Sequence, residues 1–361
     1  MRPPHFADVA AGIRSADMIE CDGDGSMGEG EIMAGEGEHL PQDIVRRKIL
    51  RDPQAQQDFS RNGFVAMPML SEAEVAALST AASALRPNDA FDPRRPNWRA
   101  ASYHCSFLDT NRDYRRRAFE LISRTFTAHV EQVLQDYRII QCNFYVKPAG
   151  RGKFNLHQNW PLTANLDETS VSIWCPLVDA TGHNGGLCAV PASHKIVPHV
   201  QGPNTDPYFQ GLEERMWAAG MVETFSVPAG SAVIFDDGLI HGSPTNQGET
   251  PRFAVQLMCV PAESTPAYYR DIGGGRFEVV RADVDFWLEN DIKDLLDGNA
   301  DWEMLGVVEG RNRQVDFDEL TDLLTRSDDI RRTSIALHPV VDDVSEPPRF
   351  LPRWLGRKRS A

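Results

Sequence analysis

The feature that most restricts this chain is a series of short apolar segments between residues 138 and 260. Segments 138–147, 170–177, 186–190, 231–235 and 252–260 are rich in β-branched and aromatic residues, and Gly, Pro, Asn and Asp separate them. Each has the length of a strand. A succession of short strands with such turns is expected to close as a sandwich, barrel or jelly roll.

Helical patterns flank this β region. Asn62-Gly63 reads as a turn between a helix end and a strand. Ser71 then precedes Glu74 by three, the spacing of a capping box, and a helix is expected through Val75, Leu78 and Ala81. Residues 111–136 carry Phe119, Ile122, Phe126 and Val130 at three- and four-residue spacing, which predicts a second helix. Helical texture returns at 284–296 and 315–324. The chain therefore divides into an acidic extension over 1–53, a β-rich unit over 54–265, and a helical extension with a basic tail over 266–361.

Charge and composition exclude several functions. The 361 residues carry 37 Lys and Arg against 52 Asp and Glu, a formal charge of −15. So acidic a chain is not a general nucleic-acid binder, which needs a basic surface. No segment approaches the apolar length of a membrane helix, and the N-terminus has no secretory pattern. Six scattered cysteines, Cys21, Cys105, Cys142, Cys175, Cys188 and Cys259, form no Cys-x-x-Cys pair. They read as core residues of a protein in a reducing compartment, so a cytoplasmic location is expected. Asp22 and Asp24 hint at a calcium loop, but Met27 and Met33 stand where that loop requires Gly and Glu.

The chemistry concentrates in two stretches. In the first, His157 and Asn159 are two residues apart, so on an extended strand both face the same side. In the second, His241 follows the apolar run 231–235, and Arg252 opens the next strand. Two histidines and one oxygen ligand would form a facial site with open positions, the arrangement of non-haem Fe(II) oxygenases. A nearby Arg would grip the carboxylate of an oxo-acid in fork geometry.

These pieces, with Gly63-Phe-Val-Ala-Met-Pro, Lys147-Pro148, Ser172-Ile-Trp-Cys-Pro-Leu, Asn184-Gly-Gly-Leu and His241-Gly-Ser, occur in an order that resembles the phytanoyl-CoA dioxygenase family. The resemblance covers roughly 57–262 and implies a mainly β protein, a double-stranded β-helix (cupin-like jelly roll) with flanking helices. It implies Fe(II), 2-oxoglutarate and O2 as cofactor and cosubstrates. It also implies His157, Asn159 and His241 at the metal, and Arg252 on the 2-oxoglutarate carboxylate. Lys147, Trp174 and Ser243 match positions lining the cosubstrate pocket. The implied reaction hydroxylates a C–H bond of a small molecule, a specialised metabolite or acyl derivative. A homodimer stays open; nucleic acid and membrane are not expected partners.

One departure sits at the metal. The family pattern is His-x-Asp, and this chain has Asn159. An amide oxygen is a neutral, weaker donor, so the site is one charge less negative. Three readings stay open: a working ligand in a hydroxylase, a variant with the ligand substituted, or a binding protein that has lost tight iron binding. Halogenating relatives also lack the carboxylate, but Asn is bulkier than the Gly or Ala they carry. Asp236 and Asp237 read as turn residues, His194 as a loop anchor and His183 as exposed. Trp160 and Trp174 suit any jelly-roll core. Arg94, Arg95, Arg99, Tyr103 and His104 lie in a loop that either faces substrate or is solvated.

Overall fold

Residues 47–91, 102–195, 200–203, 205–310 and 314–325 are described by the computed structural model. The acidic segment up to residue 46, the cysteine within it, Arg94, Arg95, Arg99 and the basic tail lie outside these residues. Along the chain, α1 (Pro53–Asn62), β1 (Phe64–Pro68), α2 (Glu72–Ser83), β2 (His104–Cys105), α3 (Arg112–Val133) and β3 (Tyr137–Lys147) come first. β4 (Phe154–His157), β5 (Val171–Pro176), β6 (Cys188–Ala189), α4 (Glu213–Ala218), β7 (Glu223–Thr224), β8 (Ser231–Asp236), β9 (His241–Ser243) and β10 (Arg252–Pro261) follow. The chain continues through β11 (Ala267–Gly273), β12 (Arg276–Arg281), α5 (Val284–Glu289), α6 (Ile292–Asp297), β13 (Met304–Glu309) and α7 (Phe317–Thr325).

Six strands form one sheet in the order β1-β8-β5-β10-β3-β2, and four form another in the order β4-β9-β6-β7. All pairings are antiparallel. The cavity between the sheets is lined from both, by Lys147, Trp174 and Arg252 of the larger and His157 and His241 of the smaller. The fold is a jelly roll with flanking helices.

Alternation along the strands decides what meets the cavity. On the large sheet, Cys142, Phe144, Val171, Ile173, Val255 and Leu257 join the core shared with the helices. Phe59 of α1, Leu78 of α2, and Ile122, Phe126 and Val130 of α3 complete that core. The intervening residues of the same strands, Gln141, Asn143, Tyr145, Lys147, Trp174, Arg252, Gln256 and Met258, turn to the cavity.

Local signals hold the helices where the sequence places them. Ser71 and Glu74 make both capping-box bonds, and Asn111 caps α3 through Tyr114 N at 3.2 Å. Gly63 ends α1 at φ +85°, where a Cβ would stand 2.5 Å from the His194 ring.

The region after 265 differs from the helical extension expected. β11, β12 and β13 form a three-stranded sheet of their own. The turn signal is Gly273-Gly274-Gly275, all at positive φ, between β11 and β12. This sheet and the helices beside it are packed on the jelly roll. Tyr268, Val280, Trp287 and Leu295 share a core with Ile140, Leu162 and Val260. Among the described residues, five cysteines are free and buried. No helix among them is long and apolar enough to cross a membrane.

Candidate active site

The cavity has a volume of about 270 Å³, and its lining includes all the residues singled out from the sequence: His157, Asn159, His241, Arg252, Lys147, Trp174 and Ser243. Pairing of β4 with β9 sets His157 directly opposite His241. Their ring centroids are 4.3 Å apart, with Phe154 stacked on His157 and Phe235 against His241.

Hydrogen bonding fixes the tautomer of both rings. His157 Nδ1 lies 2.8 Å from Asn155 O, and His241 Nδ1 lies 2.8 Å from Leu239 O. A carbonyl only accepts, so each Nδ1 carries the proton and each Nε2 keeps a lone pair for the cavity. Burial pushes His157 down to about 4, and His241 falls well below its ordinary value through burial and the neighbouring His157. Two neutral imidazoles therefore face the cavity at physiological pH.

Asn159 reaches the same place by another route than expected. The strand ends at His157, and Asn159 sits in the loop beyond it, its backbone N donating to Asp237 O at 2.9 Å. Its Nδ2 donates to Ser172 Oγ and to Asp237 Oδ1, both at 2.9 Å. Ser172 Oγ in turn donates to Asp237 Oδ1 at 2.7 Å and accepts from Gln256 Nε2 at 3.1 Å. With its NH2 group turned to these two acceptors, Asn159 presents its oxygen to the cavity. The donor set fits a divalent transition ion: two imidazole nitrogens and one amide oxygen. Burial pushes the Asp237 carboxyl up to about 6 against the hydrogen bonds it receives. Asp236 holds the turn by accepting from Gly238 N at 2.7 Å.

The opposite end of the cavity is cationic. β10 pairs with β3 so that Arg252 stands beside Lys147. Arg252 is 3% exposed, and its Nε and Nη1 are buried without an acceptor. Its guanidinium carbon lies 5.2 Å from the centre of the Trp174 ring. Burial lowers Arg252 to about 10. Lys147 falls to about 6 through burial and the adjacent Arg252 charge. Its Nζ donates to Ser243 Oγ and to Pro244 O at 2.6 Å. Gly185, at φ +72°, makes the room: a Cβ there would lie 2.6 Å from Lys147 Cδ. A buried guanidinium with two idle donors fits a carboxylate ligand such as that of 2-oxoglutarate.

Sequence reasoning misses the third part of the cavity. Gln141, Asn143 and Gln256 line it, at 7%, 3% and 8% exposure. Polar residues at alternate positions of an otherwise apolar strand, leading to Lys147, are the available signal. Asp237 and Ser172 have no such signal. Phe107, Trp160, Trp287 and Ile292 add an apolar wall, the last two from α5 and α6.

Other residues are placed away from the chemistry. His194 is buried against Phe59 outside the cavity lining, and His183 is exposed in its turn. Tyr103 lines the cavity, but His104 is enclosed between Asp89, at 2.6 Å, and the Tyr114 hydroxyl, at 2.7 Å. Asp109 beside it accepts from Asn88 N and Asn111 N, so this buried acidic cluster is satisfied internally.

The sequence matches the phytanoyl-CoA dioxygenase (PhyH) family over residues 59–254, more than half of the chain. The chain belongs to that family. PhyH proteins depend on Fe(II) and 2-oxoglutarate and use O2. The match ends near the start of β10, at the strand that carries Arg252.

A curated relative, ectoine dioxygenase of Nocardia farcinica (strain IFM 10152), is 31% identical over 109 residues, 27% of this chain and 37% of that protein. The chain thus spans little more than a third of that relative's length. Among solved structures, the carbocyclase SnoK from nogalamycin biosynthesis is similar at 18% identity and a TM-score of 0.44, over 60% of this chain and 86% of that one. HygX from Streptomyces hygroscopicus, with nickel and 2-oxoglutarate bound, is similar at 16% identity and a TM-score of 0.42, over 59% and 88%.

Proposed function

We infer that this PhyH protein is an oxygenase that hydroxylates a C–H bond of a small molecule. In this reading His157, His241 and Asn159 hold Fe(II), and Arg252, with Lys147, Trp174 and Ser243, holds 2-oxoglutarate. The observation that carries it is the buried Arg252 with two unpartnered donors, sharing one cavity with two neutral imidazole Nε2 atoms. Bound iron with 2-oxoglutarate and O2 supplies the oxidising chemistry, yielding succinate, carbon dioxide and the hydroxylated substrate.

The chain's own residues bind, orient and shield. Arg252 and Lys147 neutralise the distal carboxylate. Asn155 O and Leu239 O keep both imidazoles in the ligating tautomer. Phe107, Trp160, Leu162 and Trp287 exclude water from the far wall. The amides of Gln141 and Asn143 form no hydrogen bond among the described residues, which supports a neutral substrate with hydroxyl or carbonyl groups and an apolar face. A charged substrate would find no counter-ion among these amides.

A direct test follows succinate release from 2-oxoglutarate by the protein with Fe(II) under air. Release that disappears in His241→Ala supports the reading. A folded protein that binds 2-oxoglutarate yet releases no succinate, even with a metabolite extract of its source cells added, contradicts it. Asn159 favours one second reading, a binding protein on the same fold, and that result would establish it.

A further inference from the structure

We propose that Asp237 acts as the carboxylate of the metal site through Asn159, as a positioning residue that also supplies the charge the ligand lacks. The proposal rests on the oxygenase reading above. Its first support is the orientation of the amide. Asn159 Nδ2 donates to Ser172 Oγ and Asp237 Oδ1, two acceptors on the same side of the group. The Ser172 hydroxyl proton is itself directed to Asp237. A flipped amide would set its oxygen against a carboxylate oxygen and a hydroxyl whose proton is committed, so only one orientation survives. That orientation leaves Oδ1 as the cavity-facing atom.

The second support is charge. Asp237 is 3% exposed, and no Lys, Arg or His pairs with it among the described residues. A buried carboxylate without a cation is costly, and a divalent ion one residue away would supply the missing partner. The bond from Asn159 Nδ2 to this carboxylate is charge-assisted. It draws electron density through the amide toward Oδ1 and makes that oxygen a better donor to a metal. The negative charge of a His-x-Asp site is thus kept, displaced by one hydrogen bond. Residues 159 and 237 are interlocked, because an Asp at both would oppose two carboxyl groups at 2.9 Å contact.

The experiment measures Mn(II) affinity by the electron paramagnetic resonance of free Mn(II), beside thermal unfolding of the metal-free proteins. The proteins are the wild type, Asp237→Asn, and the exchange Asn159→Asp with Asp237→Asn. Asp237→Asn should bind Mn(II) at least about tenfold more weakly, as happens when the hydrogen-bond partner behind a metal ligand is lost, with the metal-free unfolding temperature kept. The exchange should restore wild-type affinity or better. Equal affinity in all three proteins overturns the proposal and leaves the oxygenase reading intact. Absence of Mn(II) binding in all three, with or without 2-oxoglutarate, overturns both. If Asp237→Asn alone does not fold, the exchange decides: a folded exchange protein that binds about tenfold more weakly than wild type overturns the proposal.

Discussion

The two ends of the cavity floor are built from the same pair of strands and the same face, yet they carry opposite chemistry. Where β10 begins, Arg252 stands opposite Lys147; four residues on, Gln256 stands opposite Asn143, and then Met258 opposite Gln141. The first rung carries the Arg252 cation, with its idle donors, beside a lysine whose own charge that cation disfavours. The later rungs are neutral, two facing amides and then a thioether facing an amide. The sheet supplies identical spacing to both, so the difference lies wholly in side-chain charge. In the proposed reading one end suits the 2-oxoglutarate carboxylate and the other suits the substrate.

Removing the charge should break this division most severely. Arg252→Ala should weaken 2-oxoglutarate binding on the order of a hundredfold, since losing a buried charged partner costs about 2–5 kcal/mol. Anaerobic 2-oxoglutarate titration measures it. Gly185→Ala acts on the same end indirectly, by pushing Lys147 aside, and about tenfold weaker cosubstrate binding is expected, a loss near one buried hydrogen bond. Asn143→Leu sharpens the contrast from the other end. It should leave 2-oxoglutarate affinity within about twofold and the metal-free unfolding temperature close to that of the wild type, because this cavity-lining amide carries neither charge nor a structural hydrogen bond among the described residues. Substrate-stimulated succinate release should fall in that variant.

The smallest effect is the pH dependence. His157 is held near 4 in the folded chain, below the ordinary imidazole value, so the unfolded chain takes up its proton first. The stability this neutral ring contributes is complete above the unfolded value and is lost as pH falls from there toward about 4. His241, shifted the same way, adds to the loss. Asp237, raised to about 6, opposes it, since its folded-state proton uptake favours the fold as pH drops. Unfolding temperatures of metal-free protein across this range should fall with acid, and more steeply in Asp237→Asn.

Much of this architecture is legible in the amino-acid sequence. The apolar strands, the capping box at Ser71 and the helical period through Val130 each act locally, and each forms where expected. The two histidines and Arg252 stand out because their order along the chain resembles a family. What stays hidden depends on long-range contact. Asp237 lies 78 positions from Asn159, and nothing in either neighbourhood announces their hydrogen bond. Trp287 reaches the cavity only because α5 packs back on the jelly roll. The sheet of β11–β13 is readable in principle, through its triple-glycine turn, but short helical stretches beside it dominate the local pattern.

In the proposed reading one cavity assembles Fe(II) and 2-oxoglutarate around His157, His241, Asn159 and Arg252. The most direct measurement is an anaerobic titration of Fe(II)-loaded protein with 2-oxoglutarate, following the metal-to-ligand charge-transfer absorption. In that reading the band saturates at one equivalent in the wild type and is absent from Arg252→Ala at the same concentrations. A wild-type protein that binds both components without developing the band would contradict it.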